Sequence, residues 1–130
     1  MTHHWPIRVY YEDTDLAGIV YYANYLKFIE RARSEMVREM GINQRAMKAE
    51  GRVFAVARVE ADYRAPAKFE DELLVETTVE SVRPARFTMK QVVTRGETLI
   101  FEALVVLVCL GPDGRPVRLP EAITKLATGR

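Results

Sequence analysis

Residues 6 to 12 alternate, with Ile7, Val9 and Tyr11 on one side and Arg8, Tyr10 and Glu12 on the other, the period of a half-buried strand. The period then lengthens. Tyr22, Tyr25, Leu26, Ile29, Ala32, Met36, Val37 and Met40 recur at steps of three and four, which predicts one amphipathic helix over roughly 22 to 40. Lys27, Glu30, Arg31, Ser34, Glu35, Arg38 and Glu39 form its polar face. Asn24 is read as the N-cap, Gly41 as the residue after the C-cap, and Ile42 as the apolar partner folding back over the last turn. Residues 43 to 52 read as a short second helix or loop around Ala46 and Met47, closed by Gly51.

Strand patterns fill the remainder. Val53 to Phe69 alternates for most of its length and is broken by Pro66, and Leu73 to Val82 alternates with its acids facing out. After a bend at Arg83-Pro84-Ala85-Arg86, Phe87 to Thr94 pairs naturally with Thr98 to Leu110 across Arg95-Gly96-Glu97. Gly111-Pro112-Asp113-Gly114 ends the last long strand. Leu99 to Leu110 is nearly continuous in apolar residues, as a strand covered on both faces would be. One helix covers only one face, so a homo-oligomer built through sheet or edge contacts is expected. The element order gives an α+β class, an antiparallel sheet wrapped around one helix.

The 130 residues are read as a single domain over 1–130, too short for separate cofactor and substrate domains. With 19 basic and 18 acidic residues the net charge is +1, which gives no global field for nucleic acid or an anionic membrane. Cys109 alone rules out an intramolecular disulfide framework, and the N-terminus lacks a signal-peptide pattern, so a cytoplasmic location is expected. The best uncharged run for a span, the apolar Ala103 to Gly111, is about half the ~20 residues a spanning helix needs, so no transmembrane segment is expected.

The inventory then restricts the chemistry. Ser34 and Ser81 are the only serines, and His3 and His4, the only histidines, lie at a terminus expected to be mobile, which leaves nucleophilic triads without parts. Cys109 sits in the most apolar strand and is read as packing. No spacing suits a metal, and Gly18 stands alone where a phosphate-cradling loop would need several glycines, so no metal and no nucleotide redox cofactor is expected. Carboxylates remain. Asp13 and Asp15 flank Thr14 just before the long helix, and an extended backbone would point both to one side while Gly18 lets the chain turn. From spacing alone, simple turn and capping roles explain the pair as well as chemistry does.

The longer pattern Tyr11-x-Asp13-Thr14-Asp15-x-x-Gly18-x-Val20-Tyr21-x-x-x-Tyr25, continuing to Glu30-Arg31-Ala32-Arg33, resembles the signature of hotdog-fold acyl-CoA thioesterases. The nearer likeness is to the YbgC-type branch, linked in bacteria with the Tol-Pal envelope system, within the 4-hydroxybenzoyl-CoA thioesterase-like group. It extends along essentially the whole chain, including Tyr63-x-Ala65-Pro66-Ala67.

The resemblance implies a long helix inside a curled antiparallel sheet of about five strands, with dimers joined at sheet edges and tetramers of those dimers. It implies hydrolysis of a short, medium or aromatic acyl-CoA, with coenzyme A present only as part of substrate and product. Asp15 becomes the nucleophile or general base and the Tyr22 N–H the oxyanion donor, with Asp13, Gly18, Tyr21 and Tyr25 in support. Arg83 and Arg86 align with a region that contacts the nucleotide end of coenzyme A; Arg58 and Arg64 are weaker candidates. Tyr21, Tyr25 and Phe54 are read as core or as borders of an acyl channel, and Glu30 with Arg31 as a helix-face pair. Many YbgC-type chains carry histidine where this one has Tyr22, a departure that bears on the substrate. A scaffold that binds acyl carrier protein or envelope-linked partners without turnover is the alternative on the same shell. Hydration or dehydration is a third reading, weakened by the absence of a histidine in the helix region.

Overall fold

A computed structural model describes residues 2–128. Residues 1, 129 and 130, the outermost positions of the domain read over 1–130, lie outside the described residues. Five strands form one antiparallel sheet: β1 (Thr2–Arg8), β2 (Val53–Tyr63), β3 (Glu72–Val82), β4 (Arg86–Arg95) and β5 (Thr98–Leu110), in the order β1-β3-β4-β5-β2. The helices are α1 (Asn24–Glu39), α2 (Gln44–Ala49) and α3 (Glu121–Thr128). Among the described residues no helix is long and apolar enough to cross a membrane.

The core lies between α1 and the inner face of the sheet. Phe28, Ile29, Ala32, Met36 and Val37 of α1 are buried against Val75 of β3, Met89 and Val93 of β4, and Phe101, Val105 and Cys109 of β5. Phe28 belongs to this stripe although the three-and-four reading passed over it; Tyr22 and Leu26, which that reading included, are exposed. α1 leans over β1 and β3, so the inner face of β2 is bare, with Val56, Val59 and Tyr63 all exposed. Its end is closed as expected: Gly41 has φ +86°, its N–H donates to the Arg38 carbonyl, and the Ile42 N–H donates to the Val37 carbonyl. In α2 the Asn43 side chain caps the N-terminus by accepting from the N–H groups of Arg45 and Ala46.

Several expectations need correction. The first strand runs over Thr2–Arg8, not 6 to 12, because residues 11–13 wind into a 3-10 turn. His3 and His4 therefore sit in paired structure: His3 lies opposite Thr77 of β3, is buried, and its Nε2 lies 2.8 Å from Glu39 Oε2. Pro6 is accommodated because β1 is an edge strand. Asn24 is not the N-cap; Ala23 is, with no side-chain bond, and Asn24 instead donates to the turn below. In β5 the chain itself covers the face that the reading gave to the helix. Ile100 is the extra residue of a bulge opposite Val93 and Thr94, so Ile100 and Phe101 are both buried, while Leu104 on the outer face is exposed. α3 was not expected; it follows Leu119, and it buries Ile123.

Candidate active site

The turn before α1 is built by backbone bonds that leave two groups unspent. Thr14 and Val20 form a bridge, Asp15 N–H donates to the Ile19 carbonyl, and Gly18 N–H donates to the Asp15 carbonyl, with Gly18 at φ +80°. Leu16 at the tip is fully exposed. The loop is thus a small hairpin whose sharp corner needs the glycine.

Within this hairpin the two acids separate. Asp13 is buried, its Oδ2 accepts from the Tyr10 N–H at 2.8 Å, and its carbonyl accepts from the Tyr21 N–H and the Asn24 Nδ2, each at 2.9 Å. It ties the strand end, the turn and the helix start together. Asp15 is exposed, and its one internal side-chain bond is Oδ1 accepting from the Ala17 N–H at 2.9 Å. The extended backbone that would have turned both acids one way is broken by the 3-10 turn at Asp13.

Beyond the hairpin lies the helix start. No acceptor among the described residues takes the Tyr22 N–H, whereas the Tyr21 N–H is held by Asp13 and the Asn24 N–H by the Tyr21 carbonyl. A free N–H at a helix N-terminus, inside the positive end of the dipole, is suited to an oxyanion. The Tyr22 carbonyl accepts from the Tyr63 hydroxyl at 2.9 Å, which fixes the peptide next to that N–H. Tyr63 carried no role in the sequence beyond its place in a motif, since a bond to a backbone atom 41 residues away leaves no local signal.

Tyrosines floor the site. Tyr25 is buried, stacks on Phe101 with centroids 4.9 Å apart, and accepts from the Ala67 N–H at 3.3 Å. Tyr63 packs edge-on against Tyr22, Tyr25 and Phe101. Tyr25 is therefore core beneath the site, and burial raises its hydroxyl above the usual tyrosine value, as it does for Tyr63. Tyr21 is exposed, and its hydroxyl is raised first by the Tyr22 hydroxyl beside it and last by the charge of Asp15. Phe54 is half-buried against Phe87, away from the turn. Cys109 is buried, and burial pushes its thiol up.

Arg83 and Arg86 are not brought to this site within the chain. Arg86 pairs with Val108 of β5, whereas Tyr63, bonded to Tyr22, pairs with Phe101; that span of β5 covers roughly 24 Å. Both arginines are exposed, at the end of the sheet that also holds Arg52 and Arg118. Arg58 and Arg64 are paired with Glu60 and with Glu102. Among the described residues no cluster of His, Cys, Asp or Glu suits a metal ion.

Residues 9–126 match the thioesterase-like superfamily. Over 121 residues the chain is 43% identical to the acyl-CoA thioester hydrolase YbgC of Escherichia coli O6:H1, spanning 92% of this chain and 90% of the relative. The chain belongs to the YbgC thioesterase family. A second family member, the acyl-CoA thioesterase YbgC of Haemophilus influenzae, is 38% identical over 92% of this chain and 89% of its own. A crystal structure of a probable thioesterase from Bartonella henselae superposes with a TM-score of 0.86 at 36% identity, covering 92% of this chain and all of the other. The family fold is the hotdog arrangement, in which the sheet curls about α1.

Proposed function

We propose that this chain hydrolyses acyl-CoA thioesters at the turn leading into α1, with Asp15 as nucleophile or general base and the Tyr22 N–H as oxyanion donor. The carrying observation is the division of labour between the two acids: the Asp13 carboxylate is buried against the Tyr10 N–H in the turn, and the Asp15 carboxylate stands exposed beside it. The thioester oxygen takes the Tyr22 N–H, and the α1 dipole stabilises the charge that develops on it; one such donor contributes about 3 to 4 kcal/mol in the transition state. Asp15 then acts by one of two routes. Its carboxylate attacks the carbonyl carbon, the C–S bond breaks, coenzyme A leaves as thiolate, and water cleaves the mixed anhydride; or it takes a proton from water, which attacks directly. Neither route calls on a cofactor beyond the coenzyme A of the substrate.

The active species in this reading is an oligomer joined through β2. Of the two edges, β1 carries Pro6, while β2 presents a longer strand with Val53, Val56, Val59 and Tyr63 exposed. Antiparallel pairing of β2 with a second β2 sets the Val53 end of one chain beside the Tyr63 end of the other. The basic end with Arg83 and Arg86 then approaches the partner's turn, where it meets the phosphates of coenzyme A.

A screen of acetyl-, short-chain, long-chain and aromatic acyl-CoAs, run beside Asp15→Asn, tests the proposal. Turnover is expected to fall at least about a hundredfold in the variant, with the oligomer intact. A variant as fast as the parent removes Asp15 from the chemistry, and no hydrolysis of any thioester by the parent favours the scaffold reading.

A further inference from the structure

Polar bonds fasten α1 to the rest of the chain, and one more falls on the turn just ahead of it. Within the helix, the Ile29 carbonyl accepts from the buried Gln91 Nε2, and the Tyr25 hydroxyl accepts from the Ala67 N–H. Ahead of the helix, Tyr21 to Asn24 form a turn closed by the Asn24 N–H, which donates to the Tyr21 carbonyl at 2.8 Å. Tyr22 and Ala23 are its central residues, and the closing bond does not touch the peptide between them. Turns of types I and II share their ends and differ by a rotation of that middle peptide. Ala23 has φ −73° and ψ −18°, the type I sense. The opposite sense needs φ of about +80° there, a region that disfavours a residue with a Cβ.

The carbonyl of the middle peptide belongs to Tyr22, and the helix ladder misses it. The Leu26 N–H, which would reach it in a full α-helical turn, donates instead to the Ala23 carbonyl at 3.1 Å. The Tyr63 hydroxyl takes its place, donating to the Tyr22 carbonyl at 2.9 Å within the same chain. Tyr63 lies opposite Phe101 in the β2–β5 register, and its ring stands edge-on to Phe101, Tyr25 and Tyr22, so packing aims the hydroxyl. The N–H groups of Tyr22 and Ala23 have no acceptor among the described residues, and N–H groups at a helix start point out past its N-terminus. Turning the middle peptide would bring the Tyr22 carbonyl to that side in place of the Ala23 N–H. A carbonyl oxygen there repels an oxyanion.

Resting on the hydrolase reading above, we propose that Tyr63 is a positioning residue of the reaction, its hydroxyl holding the Tyr22–Ala23 peptide with the N–H side toward the thioester oxygen. The effect belongs to the transition state. A neutral thioester carbonyl responds weakly to the direction of one peptide dipole, whereas the tetrahedral oxyanion carries a full charge, so loss of the hold appears in kcat rather than KM. The hydroxyl donates only while it keeps its proton. Burial first, and the Tyr22 phenol second, raise it above the usual tyrosine value. The ionisable groups facing it are the phenols of Tyr22, before α1, and Tyr25, in α1; Phe101, its neighbour on β5, carries none.

Tyr63→Phe keeps the ring and its packing and removes the bond. With whichever acyl-CoA the parent hydrolyses fastest, kcat is expected to fall about threefold to tenfold, the range of one neutral hydrogen bond, with KM within about twofold of the parent. Replacing Tyr63 with difluorotyrosine keeps the donor but draws its ionisation down from about 10 to near neutrality. That chain is expected to match the parent at low pH and to fall to the rate of Tyr63→Phe as pH rises through neutrality, a limb that the parent lacks and that a tyrosine needed only for packing would not produce. It also carries the test if Tyr63→Phe does not fold. Parental kcat in Tyr63→Phe overturns the proposal, as does a loss carried wholly by KM or a fluorinated chain with the parent's pH profile. A parent that hydrolyses no acyl-CoA removes the hydrolase reading and this role with it.

Discussion

Asp13 and Asp15 are two residues apart and chemically alike, yet the turn gives them different work. Three bonds meet in a knot at residue 13, but only the one from the Tyr10 N–H reaches the Asp13 carboxylate; the Tyr21 N–H and the Asn24 Nδ2 donate to its main-chain carbonyl. Asp13→Ala is expected to lower stability by about 1 to 2 kcal/mol, because the Tyr10 N–H loses its carboxylate, and to lower turnover as well, because the 3-10 turn that leads to Asp15 loosens. A denaturant midpoint that falls while turnover stays at the parental rate would separate the knot from the site. The sequence alone left these acids undivided, since spacing does not reveal which carboxylate meets a backbone N–H; only the longer motif pointed to Asp15. Tyr63 was less legible still, because its partner is a carbonyl on another element.

At the scale of elements, strands and helix ends were the legible part. β5 was read to the residue, and Gly41 with Ile42 forms the predicted helix stop, because these signals are local in the chain. Gly41→Ala forces a Cβ into φ +86° and is expected to cost about 1 kcal/mol, read as a lower denaturant midpoint at constant slope. Open space surrounds the added Cβ, so the cost comes from backbone strain rather than a clash. The failures lie where tertiary contacts override local pattern. β1 begins four residues earlier than its alternation suggests because β3 supplies partners for Thr2 to Trp5, and Phe28 is buried because α1 leans toward β1 and β3.

At the scale of the whole molecule, Arg52, Arg83, Arg86 and Arg118 gather at one end of the sheet, whereas Arg8 and Arg95 at the other end are paired with Glu72 and Asp71. An antiparallel dimer through β2 sets unlike ends side by side, which gives the proposed coenzyme A contact a test by mixing. Chains with Arg83→Ala and Arg86→Ala are expected to show a raised KM for acyl-CoA with a smaller fall in kcat. Mixed dimers of that chain with Asp15→Asn should regain the parental KM, because one of their two sites then combines an intact Asp15 with intact arginines of the other chain. If the arginines served their own chain's site, the mixture would keep the raised KM.

The Gln91 Nε2 donates to the Ile29 carbonyl at 2.9 Å and fastens α1 to β4 by a buried polar contact that apolar packing does not supply. Side chains in a greasy interface tolerate a small slide of one element past another; a directional bond with both partners out of water does not. The helix is thereby indexed to the sheet like a rule pinned at one mark, and the start of α1, about a turn and a half from the pin, inherits that index. The proposed oxyanion donor is thus measured from β4, and sliding α1 along the sheet costs that bond.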